Sequence, residues 1–412
     1  MPDSSRQHLL AIYRAALDAV NGRQCCRRFL SVQRPMIPVA LVAIGKAAGS
    51  MAQGAADALA GQILRGLVIT KPGGEPLSGI AADFPCLLAG HPVPDARSLQ
   101  AGAMLLSFID TLPAEAPLLL LLSGGASALV EVLPDGAGLA ELQRLNGWLL
   151  GSGLDIGAMN AVRRSLSCIK GGRLAMRLAG RRSLCLMISD VPGDVPGLIG
   201  SGLLAPAPPA PAGLVGSLPG WVLPLLGLAP SPPAADDACF ATVESHIIAS
   251  LSDALAAAAD AGRGLGYTVF EHATPLSGNA ASCGRALAQR LRDGPAGLHI
   301  WGGETHVRLP ERPGRGGRNQ HLALAAARVL AGSSHCTLLC AGSDGSDGPG
   351  EDAGAIIDAG TLRRGQRQGL DASEALHRAD SGRFLQASGD LLRTGSTGTN
   401  VMDMALGIKD IH

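Results

Sequence analysis

Lysines, arginines and carboxylates recur beside glycine-rich turns along this 412-residue chain. The densest such stretch is Gly302-Gly303-Glu304-Thr305-His306-Val307, followed by Gly314-Arg315-Gly316-Gly317-Arg318-Asn319-Gln320. Glycines let backbone N–H groups approach an anion closely, and the start of a helix adds partial positive charge. Arg318, on the last of these turns, presents a planar fork that fits carboxylate or phosphate oxygens. Other turns carry Lys46, Lys71, His91, Ser123 and Asp190, and further acidic groups stand at Asp194, Asp344 and Asp347. Phosphoryl transfer uses this combination. Cations and amides neutralise phosphate oxygens, carboxylates hold a magnesium ion, and positioning does most of the rest. Turn chemistry alone accounts for any single aspartate, so it is their joint occurrence that points to a site. The chain has no GxSxG elbow, no GxxxxGK[ST] loop and no strong nucleophile–base pair, so covalent catalysis is not expected.

The elements that must position these groups follow from hydrophobic periodicity. Apolar residues at helical spacing predict a helix over 8–19. Short apolar runs predict strands over 39–44, 66–70, 84–89, 117–122 and 183–188, separated by helical segments. Each strand closes on a turn carrying one of the polar residues above. Strands alternating with helices predict a parallel sheet covered on both faces, and ligands of such sheets bind outside the carboxyl ends of the strands. Gly197 to Asp237 is rich in Pro, Ala and Gly and reads as an irregular linker with one short helix near Trp221,. It sets the expected boundary between domains 1–237 and 238–412. Beyond it, strands are expected at 246–249, 267–270, 298–301, 305–309 and 336–341, with a helix from Asn319 to about Leu330.

Composition bounds the rest. Lys+Arg and Asp+Glu both number 34, so bulk charge gives no reason to expect a nucleic-acid or membrane-surface partner,. Apolar residues are 47% but aromatics only 3%, so the core must be built from Leu, Ala, Val and Ile. Nine cysteines form no CxxC pair, and no signal-peptide pattern is seen near Met1. Reduced thiols in a cytoplasmic protein are therefore expected,.

Ile44-Gly45-Lys46-Ala47-Ala48, Gly90-His91-Pro92-Val93-Pro94-Asp95, Ser123-Gly124-Gly125-Ala126-Ser127 and Lys170-Gly171-Gly172-Arg173 resemble the class II glycerate 2-kinases. So do Gly302-Gly303-Glu304-Thr305, Gly317-Arg318-Asn319-Gln320, the Asp344/Asp347 turn and Thr397-Gly398-Thr399-Asn400, in the same order over nearly the whole chain. Members of that family have also been labelled hydroxypyruvate reductases of tartrate-utilisation operons. The resemblance implies an α/β protein with a Rossmann-like N-terminal domain, a mixed α/β C-terminal domain and a site in the cleft between them. It implies ATP, Mg²⁺ and D-glycerate, with 2-phosphoglycerate as product, and Lys46 and Arg318 as the catalytic pair. Ser123, Gly124, Gly125, Ser127, Lys170, Thr397 and Asn400 are then expected to hold the nucleotide. His91, Glu304 and Asn319 are expected at the substrate, and Asp190, Asp194 or Asp344 at the metal, with a monomer or homodimer as the assembly.

The chain also departs from the family pattern. His321 stands where Glu is usual, and Pro72-Gly73-Gly74 follows Lys71 where Tyr-Gly-His is usual. Ser165 replaces a histidine, and Leu203-Leu204 replace a Pro-Thr pair. These losses of polar groups near strand ends bear on the acceptor pocket. Two other readings stay open: an NAD(P)H-dependent hydroxypyruvate reductase, against which the missing dinucleotide fingerprint counts, and a ligand-binding relative without turnover. On the kinase reading, Lys46→Ala and Arg318→Ala should each lower kcat by ~10²-fold with the melting temperature nearly unchanged.

Overall fold

The computed structural model describes residues 2–73 and 84–410, so the departure at Gly74 lies outside the described residues. Continuous apolar runs mark strands covered on both faces. Six of them form the first sheet: β1 (Val39–Ile44), β2 (Ile63–Thr70), β3 (Cys86–Leu88), β4 (Leu118–Leu122), β5 (Ser183–Ile188) and β6 (Val243–Ala249). Their order is β3-β2-β1-β4-β5-β6 and every pairing is parallel. All of β1 and β4 is buried. Val42, Ile44, Leu120 and Met187 pack with Leu105, Phe108 and Leu174 from the covering helices. The chain runs outward from β1 to β3, then returns to lay down β4 on the other side of β1. This is the Rossmann strand order, and its reversal leaves a crevice at the carboxyl ends of β1 and β4.

The segment between β5 and β6 is not a domain boundary. Short 3₁₀ turns at Leu214–Ser217 and Leu223–Leu225 flank Trp221. Leu218 and Val222 share a small apolar cluster with Leu142, Leu145, Leu149, Val162 and Leu166. The Arg144 guanidinium lies 4.0 Å above the Trp221 ring. The Pro/Ala/Gly-rich stretch is therefore a packed crossover that carries the chain back to the same sheet.

The second sheet is mixed. It contains β7 (Val269–Glu271), β8 (Gly297–Gly303), β9 (Cys336–Gly342), β10 (Gly354–Asp358), β11 (Leu391–Leu392) and β12 (Asp403–Lys409), in the order β11-β10-β9-β12-β8-β7. β7 and β8 run parallel and the other neighbours antiparallel. The strand expected over 305–309 does not form. Both edges of β8 are already taken by β7 and β12, and His306 makes only an isolated bridge with Asn279. Helix Leu251–Gly264 covers the face of Gly302, where an added Cβ would lie 2.8 Å from Leu251. Helix Ala280–Asp293 covers Gly407, where an added Cβ would lie 2.8 Å from Leu291. Gly302 pairs with Met404, three residues from Gly407, so by strand alternation these are opposite faces,.

Helix Pro2–Ala19 belongs to this second sheet. It packs on helix Leu251–Gly264, β9 and β12, with Leu9, Ile12, Tyr13 and Ala16 fully buried. Arg6 ties it to Asp358 at 3.0 Å and to the Ile356 carbonyl at 2.7 Å. The chain accordingly divides into one unit of Asn21–Ser250 with Gly398–Asn400, and another of Met1–Val20, Leu251–Thr397 and Val401–His412. That division replaces the expected 1–237 and 238–412. The reason is that β6 completes the first sheet while the N-terminal helix buries its apolar face on the second. Among the described residues no helix is long and apolar enough to cross a membrane.

Candidate active site

In the Rossmann-like unit the crevice is built from the loops that follow β1, β3, β4 and β5. Gly45 follows β1 with φ +132°, and an added Cβ would lie 2.1 Å from Ser123 Oγ, so only glycine fits there,. The loop after β4 fastens to it. Lys46 N donates to the Gly124 carbonyl at 2.9 Å, and Ala47 N donates to Ser123 Oγ at 3.0 Å. Ser123 is fully buried in this role. It joins the two loops rather than facing a ligand, which corrects its expected place at the nucleotide.

Gly124 and Gly125 form the floor on which four polar side chains converge. A Cβ at Gly124 would sit 1.9 Å from Asn400 Nδ2 and 2.0 Å from Asp190 Oδ2. A Cβ at Gly125 would sit 3.0 Å from His91 Cδ2 and 3.2 Å from Lys46 Cγ. Asn400 Nδ2 donates to Asp190 Oδ2 at 3.1 Å. The structure thus brings together Lys46, His91, Asp190 and Asn400, although Asn400 is 210 residues from Asp190. Asp194 stands one turn further on, with φ +52°. Ser127 lies two residues past Gly125, with its Oγ 2.8 Å from Ser201 Oγ.

Lys170 is placed elsewhere. It is 1% exposed and its ammonium pairs with the equally buried Glu131. Burial pushes the Glu131 carboxyl up and the Lys170 ammonium down, each opposed by the partner's charge,. The neighbouring turn is held by Gly171 N to the Ser201 carbonyl at 3.0 Å and Gly172 N to the Gly202 carbonyl at 2.7 Å. Lys170 is a buried structural cation, not a nucleotide ligand.

In the mixed unit the groups gather where β8, β9 and β12 meet the start of helix Arg318–Leu330. Arg318 forms a two-pronged pair with Asp403, Nε to Oδ2 at 2.5 Å and Nη2 to Oδ1 at 2.9 Å. Its Nη1 lies 3.0 Å from Glu304 Oε1. Burial alone would lower the guanidinium pKa, but Asp403 and Glu304 outweigh it and hold Arg318 charged. Asp403 had no part in the sequence reading. Its only signal was an acidic residue opening an otherwise apolar strand.

The start of the helix is occupied by the protein's own carboxylate. Asp347 accepts from Asn319 N at 3.0 Å and Gln320 N at 2.8 Å. Gly317 permits this approach, since a Cβ there would lie 2.3 Å from Asp347 Cγ. Burial raises the Asp347 carboxyl to about 7, against the pull of the two amides. The expectation that this helix end receives a ligand anion is therefore corrected. Asn319, also expected at the substrate, is buried and turned to Asp347. Asp344 Oδ1 accepts from Ser346 N and Oγ, both at 2.9 Å. Thr397 Oγ1 donates to the Ser343 carbonyl at 2.5 Å, and Tyr13 Oη donates to the Gly342 carbonyl at 2.7 Å. Burial, then Asp344, Asp403 and Asp347, push the Tyr13 hydroxyl well up. His321, the departure at the helix start, is buried and 3.1 Å from Ser381 Oγ, with its pKa lowered by burial. Among the described residues no group of three or more His, Cys, Asp or Glu is arranged around a metal position.

Residues 8–217 match the family described as domain of unknown function DUF4147, and residues 297–403 match the MOFRL family. A D-glycerate 2-kinase from Thermotoga maritima is 36% identical over 99% of this chain and 99% of its own. A protein from Agrobacterium vitis that carries a hydroxypyruvate reductase name is 36% identical over 88% of this chain and 97% of its own. The crystal structure of a Thermotoga maritima glycerate kinase superposes with a TM-score of 0.83 at 34% identity, covering 99% of this chain and all of the other. A match of this extent, in sequence and in fold, makes the chain a member of the glycerate kinase family that joins a DUF4147 domain to a MOFRL domain.

Proposed function

We propose that this protein is an ATP-dependent glycerate 2-kinase, transferring the γ-phosphoryl group of ATP to the C2 hydroxyl of D-glycerate. The observation that carries the reading is the convergence of Lys46, His91, Asp190 and Asn400 on the Gly124-Gly125 floor at the reversal point of the first sheet. Phosphoryl transfer asks for positioning and charge neutralisation rather than covalent chemistry. Lys46 supplies a cation beside amides that the glycines leave open to close approach, and it offsets charge developing on the transferring group. Arg318, fixed by Asp403 and Glu304, keeps further N–H donors that suit a carboxylate or phosphate oxygen,. A loose transition state makes little demand for a base on the hydroxyl proton.

Carboxylate oxygen is the donor type Mg²⁺ takes, and one or two carboxylates with phosphate oxygens suffice for it. Asp190, Asp194 or Asp344 fit that role. The ion would neutralise phosphate charge when bound.

The reductase name among the relatives finds no support in the loops. A dinucleotide site places a GxGxxG turn after the first strand and an acidic residue near the end of the second. Here those positions read Gly45-Lys46-Ala47-Ala48-Gly49 and Thr70-Lys71. The deciding measurement is ADP release with D-glycerate, run beside thermal shifts with ATP–Mg²⁺ and with NADH. ADP release, with a shift from ATP alone, is expected. A shift from NADH and no ADP release would refute the kinase.

A further inference from the structure

Asn160 sets the polarity of a hydrogen-bond chain that ends at Ser127. Its Nδ2 donates to the Leu198 carbonyl at 3.1 Å, and its Oδ1 accepts from Arg163 Nη1 at 3.3 Å. A carbonyl oxygen only accepts and a guanidinium only donates, so the amide orientation is fixed from both sides. Ser201 Oγ, 3.0 Å from that Oδ1, must therefore donate to it. A hydroxyl has one proton. The 2.8 Å contact between Ser127 Oγ and Ser201 Oγ then has Ser127 as its donor. Ser127 is left with lone pairs and no proton to offer.

Two features show that this chain is built in. Ser201 has φ +62°, between Gly200 at +57° and Gly202 at +71°. A left-handed backbone is uncommon for serine and persists where the surroundings over-determine it. Glycine would take this backbone without strain, so the hydroxyl is what serine adds. Ser127 is also half-buried, while Ala126, Ala128 and Leu129 of its helical turn are buried. It follows directly on the Gly124-Gly125 floor.

We propose that Ser127 is a specificity residue that accepts a hydrogen bond from an alcohol hydroxyl of the bound ligand. On this assignment it does not donate to phosphate. A phosphate or carboxylate oxygen at neutral pH brings only lone pairs to this position and is disfavoured, whereas an O–H group is matched. The identity of the ligand rests on the kinase reading, which offers two sources for such a hydroxyl: the acceptor alcohol and the nucleotide ribose.

Calorimetric binding needs no turnover and separates the cases. Wild type and Ser127→Ala are compared with D-glycerate against D-lactate and 3-hydroxypropanoate, each lacking one hydroxyl. The second arm compares ATP with 2′-deoxy- and 3′-deoxy-ATP. Ser127→Ala should reduce the preference for the hydroxyl-bearing ligand by ~5-fold or more in one arm, the scale of a single neutral hydrogen bond. Affinity for the deoxy compound should be unchanged. Ser201→Gly keeps Ser127 but frees its proton, and should reduce the same preference. It carries the test if Ser127→Ala does not fold. Unchanged preferences in both arms, equal weakening of every nucleotide and of tripolyphosphate, or no binding of any compound would each overturn the proposal. Intact hydroxyl preference without ADP release would sink the kinase reading alone.

Discussion

Arg318 holds its charge between two carboxylates, one of them almost fully buried. Removing one partner of such a pair leaves the other desolvated and unpaired. Arg318→Ala should therefore cost ~3 kcal/mol of stability as well as lowering kcat by ~10²-fold, which revises the expectation of an unchanged melting temperature. Arg318→Lys should recover part of the stability but little of the rate, because an ammonium cannot make the two-pronged pair. Lys46→Ala should still lower kcat by ~10²-fold with a small change in melting temperature, read by ADP release and calorimetry. Asp347 gives a pH signature. Its carboxyl sits at about 7 in the folded protein, above the ordinary value of 3.8. The folded state thus binds more protons between these values, and the contribution of Asp347 to stability declines as pH rises from about 4 to about 7. Asp347→Asn does not titrate, so the melting-temperature advantage of wild type over this variant should shrink across that interval. A gap that widens would contradict the burial argument.

At the level of elements, glycine positions separate function from scaffold. A Cβ at Gly124 meets the ends of two side chains, Asn400 and Asp190, which can swing aside. A Cβ at Gly54, inside helix Ala48–Ala58, would meet the Arg23 backbone carbonyl oxygen at 2.2 Å, which cannot. Gly124→Ala should lower turnover more than ten-fold with a modest loss of stability. Gly54→Ala should cost ~1–3 kcal/mol through overpacking, with activity per folded molecule retained. Paired denaturant titrations and initial rates distinguish the two. The same contrast explains what the glycine-rich stretch at 314–317 is for. Gly317 lets Asp347 reach the amides of helix Arg318–Leu330, a cap made by the protein itself, and Gly314 makes room for Asp380,.

At the scale of the whole molecule, each unit has its own sheet and its own apolar core. Chain order does not follow this division, since helix Pro2–Ala19 packs in the unit that is otherwise C-terminal. Trp148 and Trp221 lie in the Rossmann-like unit and Trp301 in the mixed one, so tryptophan-to-phenylalanine variants can report each unit separately. Deleting residues 1–20 strips Leu9, Ile12, Tyr13 and Ala16 from β9 and β12. The midpoint reported by Trp301 should fall markedly in that deletion, and the midpoint reported by Trp148 and Trp221 much less. Equal losses would show that the helix stabilises both units alike.

Local chemistry was enough to recover β1 to β5 of the first sheet, but not β6, which was expected in the second domain. Runs such as Val39–Ile44 and Leu118–Leu122 are apolar throughout, and a parallel buried sheet is what such runs form between helices,. The polar residues directly after them, Lys46, His91 and Asp190, were legible for the same reason, because a strand's end fixes where its next side chains stand. The sequence did not show the partners supplied from far along the chain. Asp403 opens β12 and meets Arg318 only through the β8-β12-β9 pairing. Asn400 reaches Asp190 across 210 residues, and Glu131 neutralises Lys170 across 39. Which cation binds a ligand and which is consumed by a buried carboxylate depends on desolvation and on long-range contacts. Local spacing carries neither, so the residue types of the site were fixed by sequence and their roles by the tertiary fold.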